Sequence, residues 1–474
     1  MTTTQARANT FETIDPSNGG RLELLEYTSQ AELDASLDHA VAAQRSWRTS
    51  SFAQRGTLFT SVARVLRDGS NDYARTIVRE MGKPIAQARA EVEKCAATCE
   101  YFAAHAARFL ADEPVESNAT QSYVAFRPLG VVLAVMPWNF PFWQLFRAAA
   151  PAMMAGNAMV LKHSSNVSRC ALEMEEIFKR AGAPVGLFRT ILVAGSNVAP
   201  IIADERIAAV TLTGSEGTGV AVASTAGKHL KKSVLELGGS DPFIVLADAR
   251  IEDAVKFAVR ARFQNNGQSC IAAKRFIVEA RRYDEFVERF AKASSEQIVG
   301  NPMEDATQIG PMARDDLRGD LRKLLDESKA KGARIATGGG AIDRKGFYFE
   351  PTVVADVDDT MPVFREETFG PVAAVVRAND AEHAVALAND SKYGLGANVW
   401  TENIARAKEM ATRIESGLVF INGMVASDAR LPFGGVKKSG FGRELSSFGI
   451  REFVNVQTVW VGPERVPTKG ADAE

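Results

Sequence analysis

Apolar residues near the start of the chain recur at helical spacing: Leu33, Leu37, Ala40 and Val41 share one face of a turn-by-turn pattern. Ser29 and Glu32 stand just ahead of them in the arrangement of a capping box, in which hydroxyl and carboxylate each accept from the other's free backbone amide. A further helix is predicted over Tyr73–Met81, halted by Gly82 and Pro84, and another over Glu91–Ala107. Up to that point the chain reads as helical. The period then changes. Short β-rich runs at Met159–Lys162, Arg189–Val193, Ala208–Thr213 and Phe243–Leu246 alternate with helical ones at Ser168–Ala181 and Val220–Thr225. Such alternation predicts a parallel, doubly wound sheet, because neighbouring parallel strands need a crossover and the crossover is usually a helix.

A second alternating series follows Asp253, with helix Ala254–Gln264, strand Arg275–Val278 and helix Tyr283–Ser294. It continues through Ala373–Val376 and Ala381–Ala388 to Leu418–Ile421. The break between the two series falls near Gly238–Gly239. Tyr123–Val135 and Phe453–Val461 are β-rich but fit neither series, and are expected to add strands at a subunit interface. A chain of 474 residues is too long for one hydrophobic core, so several domains are expected on size alone.

Composition narrows the class. Hydrophobic residues at 46% and charged ones at 24% are an ordinary globular balance. A formal charge of −2 offers no bulk attraction to nucleic acid or anionic membrane. Val131–Met136 and Ala148–Leu161 are too short, or too interrupted by Pro151, Gly156 and Asn157, to span a bilayer. The opening residues, MTTTQARANTFETIDP, lack the apolar core of a secretory leader, and Arg7 alone makes no amphipathic targeting helix. Cys95, Cys99, Cys170 and Cys270 are too scattered for a disulfide framework. Cys95 and Cys99 share a helix face without partner ligands, so they are expected to be buried small hydrophobes and no metal site is expected. A reduced, cytoplasmic protein is the expectation.

Two segments carry candidate chemistry. In Asn265-Asn266-Gly267-Gln268-Ser269-Cys270 a cysteine follows a helix and a Gly-containing turn, where a thiolate can lie near backbone N–H groups and act as nucleophile. A lone cysteine is more often a buried hydrophobe. Leu235-Glu236-Leu237-Gly238-Gly239 sets a carboxylate among apolar residues, which raises its pKa and suits a general base. Glu236 alone could equally be a surface acid or half of an ion pair.

Together with other segments, these two resemble the aldehyde dehydrogenase superfamily. The matching stretches are Pro137-Trp138-Asn139-Phe140-Pro141, Leu235–Gly239, Gly267–Cys270, Glu367-Thr368-Phe369-Gly370-Pro371, Pro432–Lys437 and Ser439–Glu444, in the family's order and spacing along nearly the whole chain. The resemblance implies an α/β fold of two doubly wound, Rossmann-like domains with a small β element for oligomerisation. Residues 1–118 and 137–238 would bind cofactor, 239–440 would form the catalytic domain, and 119–136 with 441–474 would serve a homodimer or homotetramer. It further implies that Cys270 attacks an aldehyde and that Asn139 and the Cys270 backbone N–H steady the oxyanion. Glu236 would activate the water that hydrolyses the resulting thioester, and Glu444 would help relay the proton. Many members place a relay lysine where this chain has Ala148, which implies a different proton route, through water.

For a nicotinamide cofactor the resemblance implies Lys162 at the adenosine ribose, with Gly195, Gly214, Ser215 and Gly238 along the dinucleotide. Glu367 would hold the nicotinamide ribose, with Phe369 and Trp138 beside it. The stretch Gly214-x-x-Gly217-x-Gly219 is not the fingerprint of ordinary dinucleotide-binding folds. NAD-selective members usually carry glutamate where this chain has Ser165; the neutral hydroxyl removes repulsion of a 2′-phosphate, so use of NADP at least as well as NAD is expected. His163, where the family usually has proline, is a further candidate for the phosphate. Arg147 stands where members acting on succinic semialdehyde carry an arginine, and a guanidinium can grip a distal carboxylate by a bidentate fork. Ser427 and Arg430 are weaker candidates for the same group. A general aliphatic or aromatic aldehyde dehydrogenase, with Arg147 facing elsewhere, is the alternative substrate reading. A CoA-acylating enzyme is disfavoured by the presence of Glu236, and a non-catalytic scaffold by the retention of Cys270, Glu236 and Asn139.

Overall fold

The computed structural model describes residues 9–462. Two sheets organise it. The first has six strands in the order Gly440–Phe441, Lys232–Glu236, Ile207–Thr213, Val131–Met136, Ala158–His163, Phe188–Ile191. All its pairings are parallel except the outermost, Gly440–Phe441 against Lys232–Glu236. From Val131–Met136 the chain winds outward through two strands on one side, then crosses to build Ile207–Thr213 on the other. The strand order therefore reverses beside Val131–Met136, and in open sheets ligands bind in the crevice beyond the carboxyl ends at such a reversal.

The second sheet has seven strands, in the order Arg334–Thr337, Thr352–Val357, Val372–Ala378, Ala273–Glu279, Asp241–Val245, Gly396–Trp400, Leu418–Ile421. Only Arg334–Thr337 runs antiparallel to its neighbour. The segment Leu237–Ser240 carries the chain directly from the end of strand Lys232–Glu236 in one sheet to strand Asp241–Val245 in the other. The predicted break at Gly238–Gly239 lies inside it. Each sheet buries apolar residues on both faces, as Val132, Leu133 and Ala134 of the first and Phe243, Ile244 and Val245 of the second illustrate.

Most predicted helices form at or near their expected bounds. The capping box at Ser29 and Glu32 opens helix Gln30–Trp47, and Gly82 ends helix Ser70–Met81 in the left-handed conformation. Cys95 and Cys99 are buried in helix Ile85–Phe109.

Two expectations need correction. The N-terminal region is not helical throughout, because Thr10–Ile14 and Arg21–Glu26 pair as an antiparallel hairpin ahead of the first helix. Nor is Tyr123–Val135 one β piece outside the α/β units. Gln121–Pro128 pairs with Val454–Val461 in a separate three-stranded sheet, whereas Val131–Met136 lies at the middle of the first parallel sheet. Its fully buried run of Val131, Val132, Leu133, Ala134, Val135 and Met136 requires cover on both faces, which an interface strand would lack. Among the described residues no helix is long and apolar enough to cross a membrane.

Helix Pro141–Met154 is buried along its whole length and carries several candidate residues. Pro141 opens it, where a missing N–H costs nothing. No side chain of its own caps the first turn. Glu91, from the neighbouring helix, does so instead: its Oε1 accepts from the N–H groups of Phe142 at 2.9 Å and Trp143 at 3.0 Å. The other oxygen pairs with the buried ammonium of Lys83, which lies 4.0 Å over the Phe140 ring. Glu91→Ala would strand that ammonium and free two buried amides. Urea denaturation should show a loss of about 3–5 kcal/mol; a loss below about 1 kcal/mol, typical of an exposed pair, would contradict this account.

Candidate active site

Helix Ile251–Phe263 ends in a turn that no ordinary residue favours. Asn265, Asn266 and Gly267 take φ of 58°, 58° and 72°, all left-handed. Asparagine tolerates that region better than most residues, and glycine adopts it freely. Side-chain bonds hold the asparagines there. Asn265 Nδ2 donates to the carbonyls of Asn139 at 2.8 Å and Gln268 at 2.9 Å. Asn266 Nδ2 donates to Gly82 and Pro311 carbonyls, while its Oδ1 accepts from the Gly310 N–H at 2.7 Å. A Cβ on Gly267 would collide with the Gly370 carbonyl. The buried Arg262 donates to the carbonyls of Ala273, Gly267 and Thr368 at 3.0, 2.6 and 3.1 Å, and also to that of Gly370. One guanidinium thus ties the cysteine loop to the Glu367–Pro371 loop. Lys274 adds a second tie, donating to the Ser269 and Cys270 carbonyls at 2.8 and 2.7 Å and pairing with Glu367 at 3.2 Å.

This framework presents Cys270, half-buried, on the wall of a cavity of about 760 Å³. Phe140, Trp143, Gln144, Arg147, Ser427 and Phe433 share that wall. Asn139 sits beside the cysteine loop, its Nδ2 donating to the Gln268 carbonyl at 3.1 Å. Burial pushes the Cys270 thiol up to about 12, opposed by the charges of Arg147 and Lys274 and reinforced by Glu367 and Glu236. All four groups are close enough to act on the sulfur electrostatically.

Glu236 ends the strand Lys232–Glu236 and is buried, with no hydrogen-bond partner for either carboxylate oxygen among the described residues. Burial, then the like charge of Glu444, push its carboxyl well above the usual range, while Arg147 and Arg443 pull it down. Glu444 is buried too, and pairs with the Arg147 guanidinium. Arg147 also donates to Thr213 Oγ1 at 3.1 Å and stacks 4.5 Å from the Phe433 ring. Beside Ala148, where the resemblance led to no relay cation being expected, the preceding residue sets its guanidinium against Glu444.

The substrate candidates separate. Arg147 does line the cavity with Cys270, yet its charge already has a buried partner, so it is not the free fork expected from the sequence. Ser427 lines the cavity and accepts a hydrogen bond from Lys94 Nζ at 2.6 Å. Arg430 is off the cavity wall, exposed, with its guanidinium bidentate to Asp428 at 2.8 and 2.5 Å. A carboxylate two residues away captured it, which spacing in the sequence does not reveal.

The cofactor candidates gather at the carboxyl edge of the first sheet. Trp138 follows Val131–Met136, Lys162 and Ser165 lie at the end of Ala158–His163, Gly195 follows Phe188–Ile191, and Gly214 and Ser215 follow Ile207–Thr213. Gly238 follows Lys232–Glu236, and a side chain there would collide with Glu367. Ser215 caps helix Glu216–Lys228, accepting from the Thr218 N–H at 3.4 Å. A Cβ on Gly195 or Gly217 would meet nothing within 4 Å, so the backbone there is open to a ligand. Asn166 Nδ2, buried without a partner among the described residues, adds an unused donor near Ser165. Across the cleft, Phe369 meets Trp138 edge to face at 5.6 Å, and Glu367 Oε1 accepts from the Gly239 N–H at 3.1 Å. Open backbone at a helix N-terminus, with a lysine and hydroxyls beside it, fits a phosphate-bearing nucleotide. His163 does not join them. It is buried, held to the Pro141 carbonyl at 2.9 Å and pushed down to about 4 by burial, so it is a neutral structural residue.

A cysteine on a cavity wall, with a buried acid close enough to act on its thiol and two doubly wound sheets around them, is the arrangement of a thiol-dependent α/β enzyme. The chain belongs to the aldehyde dehydrogenase family, which matches residues 3–459. It is 51% identical to a probable succinate-semialdehyde dehydrogenase, NADP(+), of Synechocystis sp., over 95% of this chain and 99% of that one. It is 49% identical to the succinate semialdehyde dehydrogenase, NAD(P)+, Sad of Escherichia coli, over 94% and 97% of the two chains. Among solved structures, succinic semialdehyde dehydrogenase from Streptococcus pyogenes in complex with NADP+ superposes with a TM-score of 0.93 at 37% identity, over 96% of this chain and 100% of that one.

Arg262, Lys274, Thr213 and Lys94 were not found by reading the sequence. Each acts through contacts across the fold rather than through a motif. The site makes one titration testable. Glu236 becomes a base only as pH rises, because burial and Glu444 hold its proton on. Glu444→Gln removes the like charge and leaves that of Arg147, so the rising limb of the kcat–pH profile for aldehyde oxidation should move to lower pH. A limb that stayed put or moved upward would show that Glu236 does not feel Glu444.

Proposed function

We propose that this chain oxidises succinic semialdehyde to succinate and uses NADP at least as well as NAD. The observation that carries the reading is that Cys270 and the cations Arg147 and Lys94 line one cavity. An aldehyde bearing a carboxylate at its far end meets a nucleophile and positive charge in the same space. The names of the relatives, at up to 51% identity over nearly the full chain, support it.

The residues divide the work. Cys270, its thiol proton released to water in the cavity, forms a bond from the Sγ thiolate to the aldehyde carbon as the carbonyl π pair moves onto oxygen. Asn139 keeps one side-chain N–H on the Gln268 carbonyl, which leaves the other to donate to that oxygen beside the Cys270 backbone N–H. A nicotinamide held beside Glu367, Phe369 and Trp138 would supply the hydride acceptor for this carbon, and loss of the hydride would leave a thioester on Cys270. Glu236 in its charged form takes a proton from water as the water oxygen attacks the thioester carbon; the C–S bond breaks and the acid departs. Arg147 and Glu444 flank Glu236 and set the charge it works against. Lys162, Ser165, Gly195, Gly214, Ser215 and Gly238 would hold the dinucleotide, with Glu367, Phe369 and Trp138 at its nicotinamide end.

Ser165 is exposed at the carboxyl edge and brings no negative charge toward a ribose 2′-phosphate. A homo-oligomer in the cytoplasm completes the reading: the three-stranded sheet leaves Val456 and Trp460 exposed, a face that a second copy would cover.

Two measurements test these assignments. Initial rates should give a kcat/KM for succinic semialdehyde at least about tenfold above that for propanal, the same chain without its carboxylate, as one charge-assisted contact warrants; equal values would overturn the substrate. Ser165→Glu should lower the NADP-to-NAD ratio of kcat/KM by about tenfold or more through repulsion of the 2′-phosphate. A wild type that strongly prefers NAD would overturn the cofactor assignment.

A further inference from the structure

The cavity wall carries charge of both signs, and its carboxylates and Arg147 are neutralised. Glu91 is held by Lys83 and two backbone amides, and Asp305 pairs with Arg89 at 2.6 Å. Arg147 pairs with Glu444. Lys94 differs. It projects from helix Ile85–Phe109 on the face that also brings Gln87, Ala90 and Glu91 to the cavity. Among the described residues no carboxylate pairs with it; its Nζ donates to Ser427 Oγ and lies 4.2 Å over the Trp143 ring.

We propose that Lys94, with Ser427, is the seat of the substrate's distal carboxylate, which makes it the specificity-determining residue of the cavity. This rests on the reading of the substrate as an anionic aldehyde.

Three features support the assignment. A half-buried ammonium whose direct contacts are a hydroxyl and a ring, with Glu91 and Asp428 acting on it only from beyond ion-pair distance, is underpaired, so an arriving carboxylate supplies a direct counter-charge. The geometry of Ser427 suits the same ligand: its oxygen already accepts from Lys94, so its own proton is free to donate to a carboxylate oxygen. Burial, with repulsion from Arg147, also pushes the Lys94 ammonium down to about 8, a strain that an anion relieves. Farther along the wall, Lys256 and Arg260 are exposed and form no ion pair among the described residues. They extend the positive potential along the path of an incoming anion.

The test compares kcat/KM for succinic semialdehyde and propanal in the wild type, Lys94→Met, Lys94→Gln and Lys94→Arg, all saturated with NADP. The preference for the semialdehyde should fall about tenfold or more in the Met and Gln variants, mainly through KM, as loss of a charged hydrogen bond predicts. Lys94→Arg should keep most of it. A merely structural lysine would lower both substrates alike, in which case the preference stays within about twofold of wild type and the proposal is overturned while the substrate reading stands. If the wild type itself shows no preference, the substrate reading fails and takes this proposal with it.

Discussion

Three successive left-handed residues, Asn265, Asn266 and Gly267, turn the chain sharply ahead of Cys270. For the two asparagines, a backbone held that way costs roughly 1–2 kcal/mol per residue. It persists because buried donors over-determine it: the two asparagine amides, the Arg262 guanidinium and the Lys274 ammonium all close on carbonyls in or beside the loop. The same bonds reach Asn139 on the first sheet's side and the Glu367–Pro371 loop on the second's. Strain at the nucleophile is thereby shared with both walls of the cleft. A loosened turn would shift Cys270, Asn139 and Glu367 together.

Around that fixed loop the electrostatics follow from exclusion of water. Glu236, Glu444 and Arg147 are buried together, and in such surroundings like and unlike charges reach farther than in solvent. Burial pushes both the thiol and the base toward their uncharged forms, while Arg147 draws both back. A single cation therefore acts on the nucleophile, the base and the second acid. That shared duty explains why Arg147 has little charge to spare for a ligand, and why Lys94, which forms no ion pair among the described residues, has more.

The two sheets meet through a very short connection. Leu237–Ser240 links Glu236, at the carboxyl end of one sheet, to Asp241, at the start of the other. Ser439 reinforces the link by donating to the Gly238 carbonyl at 2.7 Å and accepting from the Gly394 N–H at 3.0 Å. The base is thus anchored where the halves join, across from a nucleophile carried by the loop that precedes a strand of the second sheet.

Periodicity and local chemistry determined a good deal from the sequence alone: the alternation that makes two parallel sheets, the capping box at Ser29, the stop at Gly82, and the short motifs around Cys270, Glu236 and Asn139. These are local, because hydrogen bonds within a turn or helix depend on neighbours along the chain. The interior strand Val131–Met136 was misplaced for a matching reason: a short apolar run looks the same in a sheet's centre and at an interface, and only its strand partners decide. Charge pairing was likewise beyond reach. That Arg147 is held by Glu444, Arg430 by Asp428, and Lys94 by no carboxylate depends on which side chains the finished fold brings within a few ångströms. Coulomb energy follows distance in space, and the chain's order does not record it.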